Sequence, residues 1–219
     1  MLQVIDLACR RGDRRLFSGL SFDLDPGTLL HVRGCNGSGK TTLLRALCGL
    51  FTPDAGEIRW QGEASRSSDD YRANLLYCGH LNGIKGDLTG LENLRVSATL
   101  DGNPIEDEQL WSALAHMGLM GYEDLPVTAL SQGQKKRVAL ARLLVSKAPL
   151  WILDEPFTAL DADAVERLQG LIAEHVTTDG LVILTTHQKV PLTSGRGRRL
   201  NLGDRGSRPT GEIVREPDR

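Results

Sequence analysis

A chain of 219 residues, 40% of them hydrophobic, is long enough to bury one sizeable core. Its formal net charge of -2, from 26 basic and 28 acidic side chains, excludes the global basic field through which a protein grips nucleic acid or an anionic bilayer. The four cysteines, Cys9, Cys35, Cys48 and Cys78, contain no CxxC pair, so they fit neither a zinc site nor a disulfide framework and point to a reducing compartment.

The opening residues MLQVIDLACRRGDRR are too polar for a signal peptide. No apolar run approaches the ~20 residues that span a bilayer, so any tie to a membrane is expected to run through another protein. From Leu2 to Val32 the chain alternates strand-like pieces, LQVIDL, LSFDL and LLHV, with turn chemistry such as Asp25-Pro26-Gly27. A hairpin region feeding one buried strand is expected. GCNGSGKTT follows, and then a helix in which Leu43, Leu44, Leu47 and Leu50 form an apolar face.

From about Gly79 to Leu130 the texture becomes helical, in LTGLENLRVSATL and EDEQLWSALAHMGL. The α/β rhythm then returns with the helix QKKRVALARLLVS, the strand LWIL, a helix from about Ala162 to His175 and the strand LVILTT. Past Pro191 the chain is rich in Arg, Gly and Ser and is expected to form a peripheral tail whose arginines are a solvated flank.

Gly34, Cys35, Asn36, Gly37, Ser38, Gly39, Lys40 and Thr41 match GxxxxGK[ST], with Thr42 following, between an expected strand and an expected helix. Glycines let consecutive backbone N–H groups curl around phosphate oxygens, and the helix turns its positive end to the same charge. Lys40 is expected to reach the β- and γ-phosphates and the Thr41 hydroxyl to ligate Mg²⁺. The apolar strand LWIL ends in Asp154 and Glu155. One carboxylate suits the metal and the other an attacking water, as phosphoanhydride hydrolysis requires.

LSQGQ at Leu130 to Gln134, KKRVALARLL after it, LWILDEPFTALD and TTH at Thr185 to His187 follow the phosphate loop in order. This set resembles the ATP-binding-cassette (ABC) ATPases from Leu2 to about Gln188. The resemblance implies an α/β fold: a P-loop NTPase (RecA-like) core, an antiparallel β subdomain and a helical signature subdomain. It divides a single 1–219 domain into a nucleotide-binding core (1–78 and 136–190), a helical subdomain (79–135) and a tail (191–219).

The resemblance also implies ATP and Mg²⁺ as cofactors, and Lys40, Glu155 and His187 as catalytic residues. Asp154 and Thr41 become metal ligands. Ser131, Gly133 and Gln134 of the signature, with Asp161, would meet nucleotide across an ATP-sandwiched homodimer, since the chain holds one phosphate loop and one signature. His80 takes the place of the family's coupling-loop glutamine, where an imidazole can still bond a metal-bound water. Arg11 stands where the family stacks an aromatic on adenine, with Phe17 nearby; a guanidinium plane can stack instead. Gln132 replaces a small residue, and Cys35 a frequent proline.

YCGHLNGIKGDLTGLENL, from Tyr77 to Leu94, is similar to one branch of the family, the ATP-binding subunit of the haem exporter of bacterial cytochrome c maturation. That resemblance implies a peripheral subunit on the cytoplasmic face of the inner membrane. Its partners would be an integral membrane subunit, CcmB, with CcmC and the haem chaperone CcmE in the wider assembly. Haem itself would not bind this chain, and His80 would mark the branch, not ligate iron. Two other readings stand beside it: a cassette subunit for another substrate, and a soluble cassette acting in DNA repair or on ribosomes. No long coiled-coil insertion, second cassette or strongly basic composition supports the last.

Overall fold

The computed structural model describes residues 1–65, 68–188, 196–203 and 213–215. In chain order its strands and helices are β1 (Leu2–Arg11), β2 (Arg14–Leu24), β3 (Thr28–Arg33), α1 (Lys40–Leu47), β4 (Ala55–Trp60), β5 (Glu63–Ala64), α2 (Asp69–Ala73) and β6 (Leu75–Cys78). There follow α3 (Gly90–Leu100), α4 (Asp107–His116), a 3-10 turn (Val127–Ala129), α5 (Gln132–Val145), β7 (Leu150–Asp154), α6 (Ala162–Thr177), β8 (Leu181–Thr185), β9 (Arg196–Asn201) and β10 (Ile213–Arg215).

Two units emerge from this order. The first comprises Met1–Tyr77, Pro149–Glu155 and Ala173–Arg219; the second comprises Cys78–Ala148 and Pro156–Ile172. In the first unit β1 pairs antiparallel with both β2 and β4, giving a four-stranded sheet of order β2-β1-β4-β5. Leu2, Val4, Leu7 and Cys9 of β1 are buried while their neighbours are not, the period-two pattern of a sheet with one covered face. Gly56 sits where a Cβ would lie 2.5 Å from the carbonyl oxygens of Ile5 and Asp6, so no larger residue fits against the β1 bulge.

The second sheet has the order β10-β9-β3-β8-β7-β6. β3 pairs in parallel with β8 and β9, and β7 in parallel with β8. Every residue of β7 and β8 is buried, which is why LWIL and LVIL read as unbroken apolar runs. Leu43, Leu44 and Leu47 of α1 bury fully in the same core, each contributing about 2 kcal/mol of apolar transfer. Leu50, expected on that face, is exposed, because the helix ends at Leu47 and the chain turns through Gly49.

Two boundaries differ from the sequence expectation. Within the stretch read as a peripheral tail, Arg196–Asn201 is a sheet strand beside β3, and Leu200 and Leu202 are buried. Arginines obscured it: Arg196, Arg198 and Arg199 themselves pair with β3 through their backbones. The rest of that tail, apart from 202–203 and 213–215, lies outside the described residues. And α5 groups wholly with the helical unit, although an expected boundary at 135 would divide it.

The second unit buries Leu94, Leu110, Leu114, Val138 and Leu140. Gly90 leaves room there for Leu114 and Val138, whose methyls would stand 3.4 and 3.5 Å from a Cβ. Helices α3 and α5 of this unit start at side-chain caps, whereas α4 has none. Thr89 accepts from the Glu92 N–H while Glu92 accepts from the Thr89 N–H, a capping box that opens α3.

Candidate active site

The phosphate loop leaves β3 at Arg33 and enters α1 at Lys40. A Cβ at Gly34 would meet Ser38 Oγ at 2.5 Å and the Leu202 carbonyl at 2.7 Å, and one at Gly39 would meet Leu16 Cβ at 3.0 Å and the Phe17 ring at 3.2 Å. Both positions have positive φ, so glycine is required twice over. Gly39 caps α1 without a side chain and the first turn holds no acid, which leaves its N–H groups and its dipole open to an anion. Lys40 Nζ donates to the carbonyls of Gly34 at 2.7 Å and Cys35 at 3.3 Å. Arg14 Nη2 donates to the Gly37 carbonyl at 3.1 Å and so ties β2 to the loop.

Asp154 ends β7 in register with Thr185 of β8, and Glu155 follows it. Asp154 is buried; its Oδ1 accepts from the Thr185 hydroxyl at 2.7 Å, while its Oδ2 is buried with no partner. Glu155 has a left-handed backbone, φ 51°, and its N–H donates to Thr185 Oγ1 at 3.0 Å. Its Oε2 accepts from the backbone N–H of His187 at 3.2 Å, and its Oε1 lies 3.4 Å from His187 Nε2 without hydrogen-bond geometry.

A cavity of about 360 Å³ in the first unit brings most of the expected residues together: Arg11, Asn36, Gly37, Gly39, Lys40, Thr41 and Thr42 with Asp154, Glu155 and His187. Gly34, Cys35 and Ser38 complete the same loop without lining that cavity, and the Cys35 side chain is exposed. Phe17 is buried beneath Gly39 and has no face to offer a base, whereas Arg11 is exposed at the cavity. Arg14, missed by sequence reasoning, also lines it; its only signal was the second arginine pair in RRGDRR. A separate cavity of about 430 Å³ in the second unit, walled by Asn103, Gln109, His116 and Lys147 among others, holds none of the expected residues.

The signature residues belong to the second unit. Ser131 opens α5 in a capping box with Gln134: its Oγ accepts from the Gln134 N–H at 3.2 Å and its own N–H donates to Gln134 Oε1 at 2.8 Å. The Ser131 O–H remains available to donate, beside the positive end of a 14-residue helix. A Cβ on Gly133 would stand 2.9 Å from the Ala159 carbonyl, so glycine permits a close approach there. Gln132 is exposed, leaving its bulk outside the helix packing. Asp161 Oδ1 accepts from the Ala164 N–H at 2.9 Å and opens α6. His80 is exposed in the bend after β6. Nearby, buried Asn93 accepts from the Lys85 N–H at 2.7 Å and donates to the Lys85 carbonyl at 3.0 Å, fixing the loop that its own helix follows.

Among the described residues no group of three or more His, Cys, Asp or Glu side chains is gathered as a metal cage. A cation held partly by phosphate oxygens needs fewer protein ligands. Asp154 lines the cavity with Thr41, and its buried Oδ2, without a protein partner, fits one such hard cation, since a buried carboxylate oxygen left unpaired is otherwise costly.

The ABC transporter family model matches residues 17–158. The cytochrome c biogenesis ATP-binding export protein CcmA of Nitrosospira multiformis is 54% identical over 92% of this chain and 98% of its own length. CcmA of Escherichia coli K12 is 51% identical over 92% of this chain and 96% of its own. Among solved structures, a dimeric post-hydrolysis ATP-binding cassette bound to ADP and Pi superposes with a TM-score of 0.84 at 22% identity, covering 100% of this chain and 99% of that one. That likeness shows the fold. No described helix is long and apolar enough to cross a membrane.

Proposed function

The chain belongs to the ABC transporter family, among the cytochrome c biogenesis ATP-binding export proteins, and we propose that it hydrolyses ATP to power haem export or release of a haem-loaded chaperone in c-type cytochrome biogenesis. It is an ATPase of the cassette type and binds ATP. The observation that carries the site assignment is the single cavity in which Lys40, Thr41, Asp154, Glu155 and His187 meet.

In this reading Lys40 exchanges the carbonyls of Gly34 and Cys35 for phosphate oxygens, and the open N–H groups of α1 bind the same charge. Thr41 and Asp154 would hold Mg²⁺, which would supply charge neutralisation to the bound phosphates. Glu155 takes the proton of the attacking water, and the His187 N–H fixes the carboxylate that receives it. His187 itself lines the γ-phosphate end. Arg11 offers its guanidinium plane to the base.

The Ser131 hydroxyl, Gly133, Gln134 and Asp161 serve a second copy's nucleotide, so the working form is an ATP-sandwiched homodimer. Its partners are the integral subunit CcmB, with CcmC and CcmE in the wider complex, at the cytoplasmic face of the bacterial inner membrane. His80 belongs to the loop that couples the metal site to the membrane subunit. The test is to purify tagged Glu155→Gln chain from detergent-solubilised membranes with ATP and magnesium and identify its companions by mass spectrometry. Haem-handling membrane proteins are expected. A different permease would replace haem by another substrate, and soluble partners alone would remove transport.

A further inference from the structure

We infer that Thr185 is a positioning residue for hydrolysis: its one hydroxyl orients Asp154 toward the metal and pins Glu155 in its left-handed backbone. Thr185 ends β8, is fully buried, and follows the four apolar residues Leu181 to Leu184. Packing alone gives no reason for an oxygen there, since valine has the same shape. The hydroxyl acts on the site both as donor and as acceptor. It donates to Asp154 Oδ1 at 2.7 Å and accepts from the Glu155 N–H at 3.0 Å.

The two bonds have different consequences. With Oδ1 occupied by a donor from the neighbouring strand, rotation of the carboxylate about χ2 breaks a short charge-assisted bond, so Oδ2 is the oxygen left for a cation. Glu155, with φ 51°, is a side-chain-bearing residue in a region that favours glycine. The bond to Thr185 holds its N–H in that conformation, which sets the direction of the carboxylate relative to His187, whose N–H meets Oε2 at 3.2 Å. A single atom thus couples the metal-facing oxygen of one carboxylate to the aim of the next.

This inference rests on the ATP-hydrolase reading, and the experiment separates the two. Wild type, Thr185→Val and Thr185→Ser are compared for kcat, KM, melting temperature and affinity for a fluorescent ATP analogue in EDTA and in magnesium. Thr185→Val is expected to lower kcat roughly tenfold or more with KM little changed, the cost of a catalytic group displaced by a fraction of an ångström. In EDTA its nucleotide affinity stays that of wild type, while the gain in affinity on adding magnesium shrinks. Thr185→Ser restores both.

A valine variant with wild-type kcat and a full magnesium increment overturns the inference, as does a serine variant that loses as much as valine. Should valine fail to fold, Thr185→Ala carries the same comparison against serine. A wild-type chain without magnesium-dependent hydrolysis overturns the hydrolase reading itself, and the magnesium titration of binding still decides Thr185.

Discussion

The imidazole of His175 lies flat on the indole of Trp151, ring centroids 3.6 Å apart and planes 6° from parallel, and its Nε2–H donates to the Pro149 carbonyl at 3.1 Å. Burial holds the His175 pKa below its ordinary 6.5, and the bond to Pro149 opposes that shift only in part. Unfolding therefore takes up a proton at pH values between the folded and unfolded pKa. Stability is fully present above 6.5, falls as pH drops through the window, and levels off below the folded value. Urea midpoints measured from pH 7.5 to 5 should decline in wild type and flatten in His175→Phe, which keeps a ring on Trp151 without the titration. Gly180→Ala should destabilise the chain at every pH, because its Cβ would strike the His175 ring.

Glu155→Gln should keep ATP binding and lose hydrolysis by about 100-fold or more, the usual range for a general base. Light scattering with saturating ATP and magnesium should show the variant as a dimer. A monomer under those conditions contradicts the composite site assigned to Ser131, Gly133 and Gln134.

Thiol labelling should separate the cysteines. Cys35 is exposed in the phosphate loop, whereas Cys9, Cys48 and Cys78 are buried. Burial, with Asp54 adding to it, pushes the Cys9 thiol up to about 11, and burial raises that of Cys78. A maleimide should modify Cys35 alone in the native chain and all four cysteines in denaturant. ATP should slow the native reaction. Unchanged labelling with saturating ATP would move the nucleotide away from this loop.

The two arginines at the cavity should differ in effect. Arg11→Ala should raise KM for ATP about fivefold, the worth of one stacked cation, and Arg11→Tyr should restore it. Arg14→Ala removes the bond to the Gly37 carbonyl and should weaken binding of ATP and GTP alike, since it acts on the loop and not on the base.

Ser131→Ala should lower the melting free energy by about 1 kcal/mol through the lost cap of α5. Its ATPase should fall far more than that cap explains if the hydroxyl also meets phosphate. Thr89→Ala, the same cap on α3, is the matched control: similar destabilisation, smaller effect on ATPase per mole of dimer.

What could be read in advance was local. The glycine loop was legible because turn and helix chemistry lie in consecutive residues from Gly34 to Leu47, and the buried strands because their apolar runs are unbroken. Arg14, Thr185 and Asn93 were not legible as site or loop supports. Arg14 reaches a carbonyl 23 positions away, and Thr185 meets a backbone N–H 30 positions away and a carboxylate 31 positions away, distances that only the sheet closes. β9 was hidden for the opposite reason: a ladder of backbone bonds accepts arginines, which look like solvent-facing composition in a linear string. His80 and Cys35 drew notice as unusual residues, and both are exposed side chains on loops.

The loops that begin at Gly34, Thr186 and Glu155 leave the carboxyl ends of β3, β8 and β7 in one sheet, neighbours paired residue by residue from Leu29 to Val32 and from Leu150 to Asp154. Such strands fray last, so the reaction centre has no private melting transition. Thermal loss of nucleotide binding to this loop, calorimetric unfolding of the first unit and the slowest amide exchange should coincide, and a remedy for that loss must therefore stabilise the first unit as a whole.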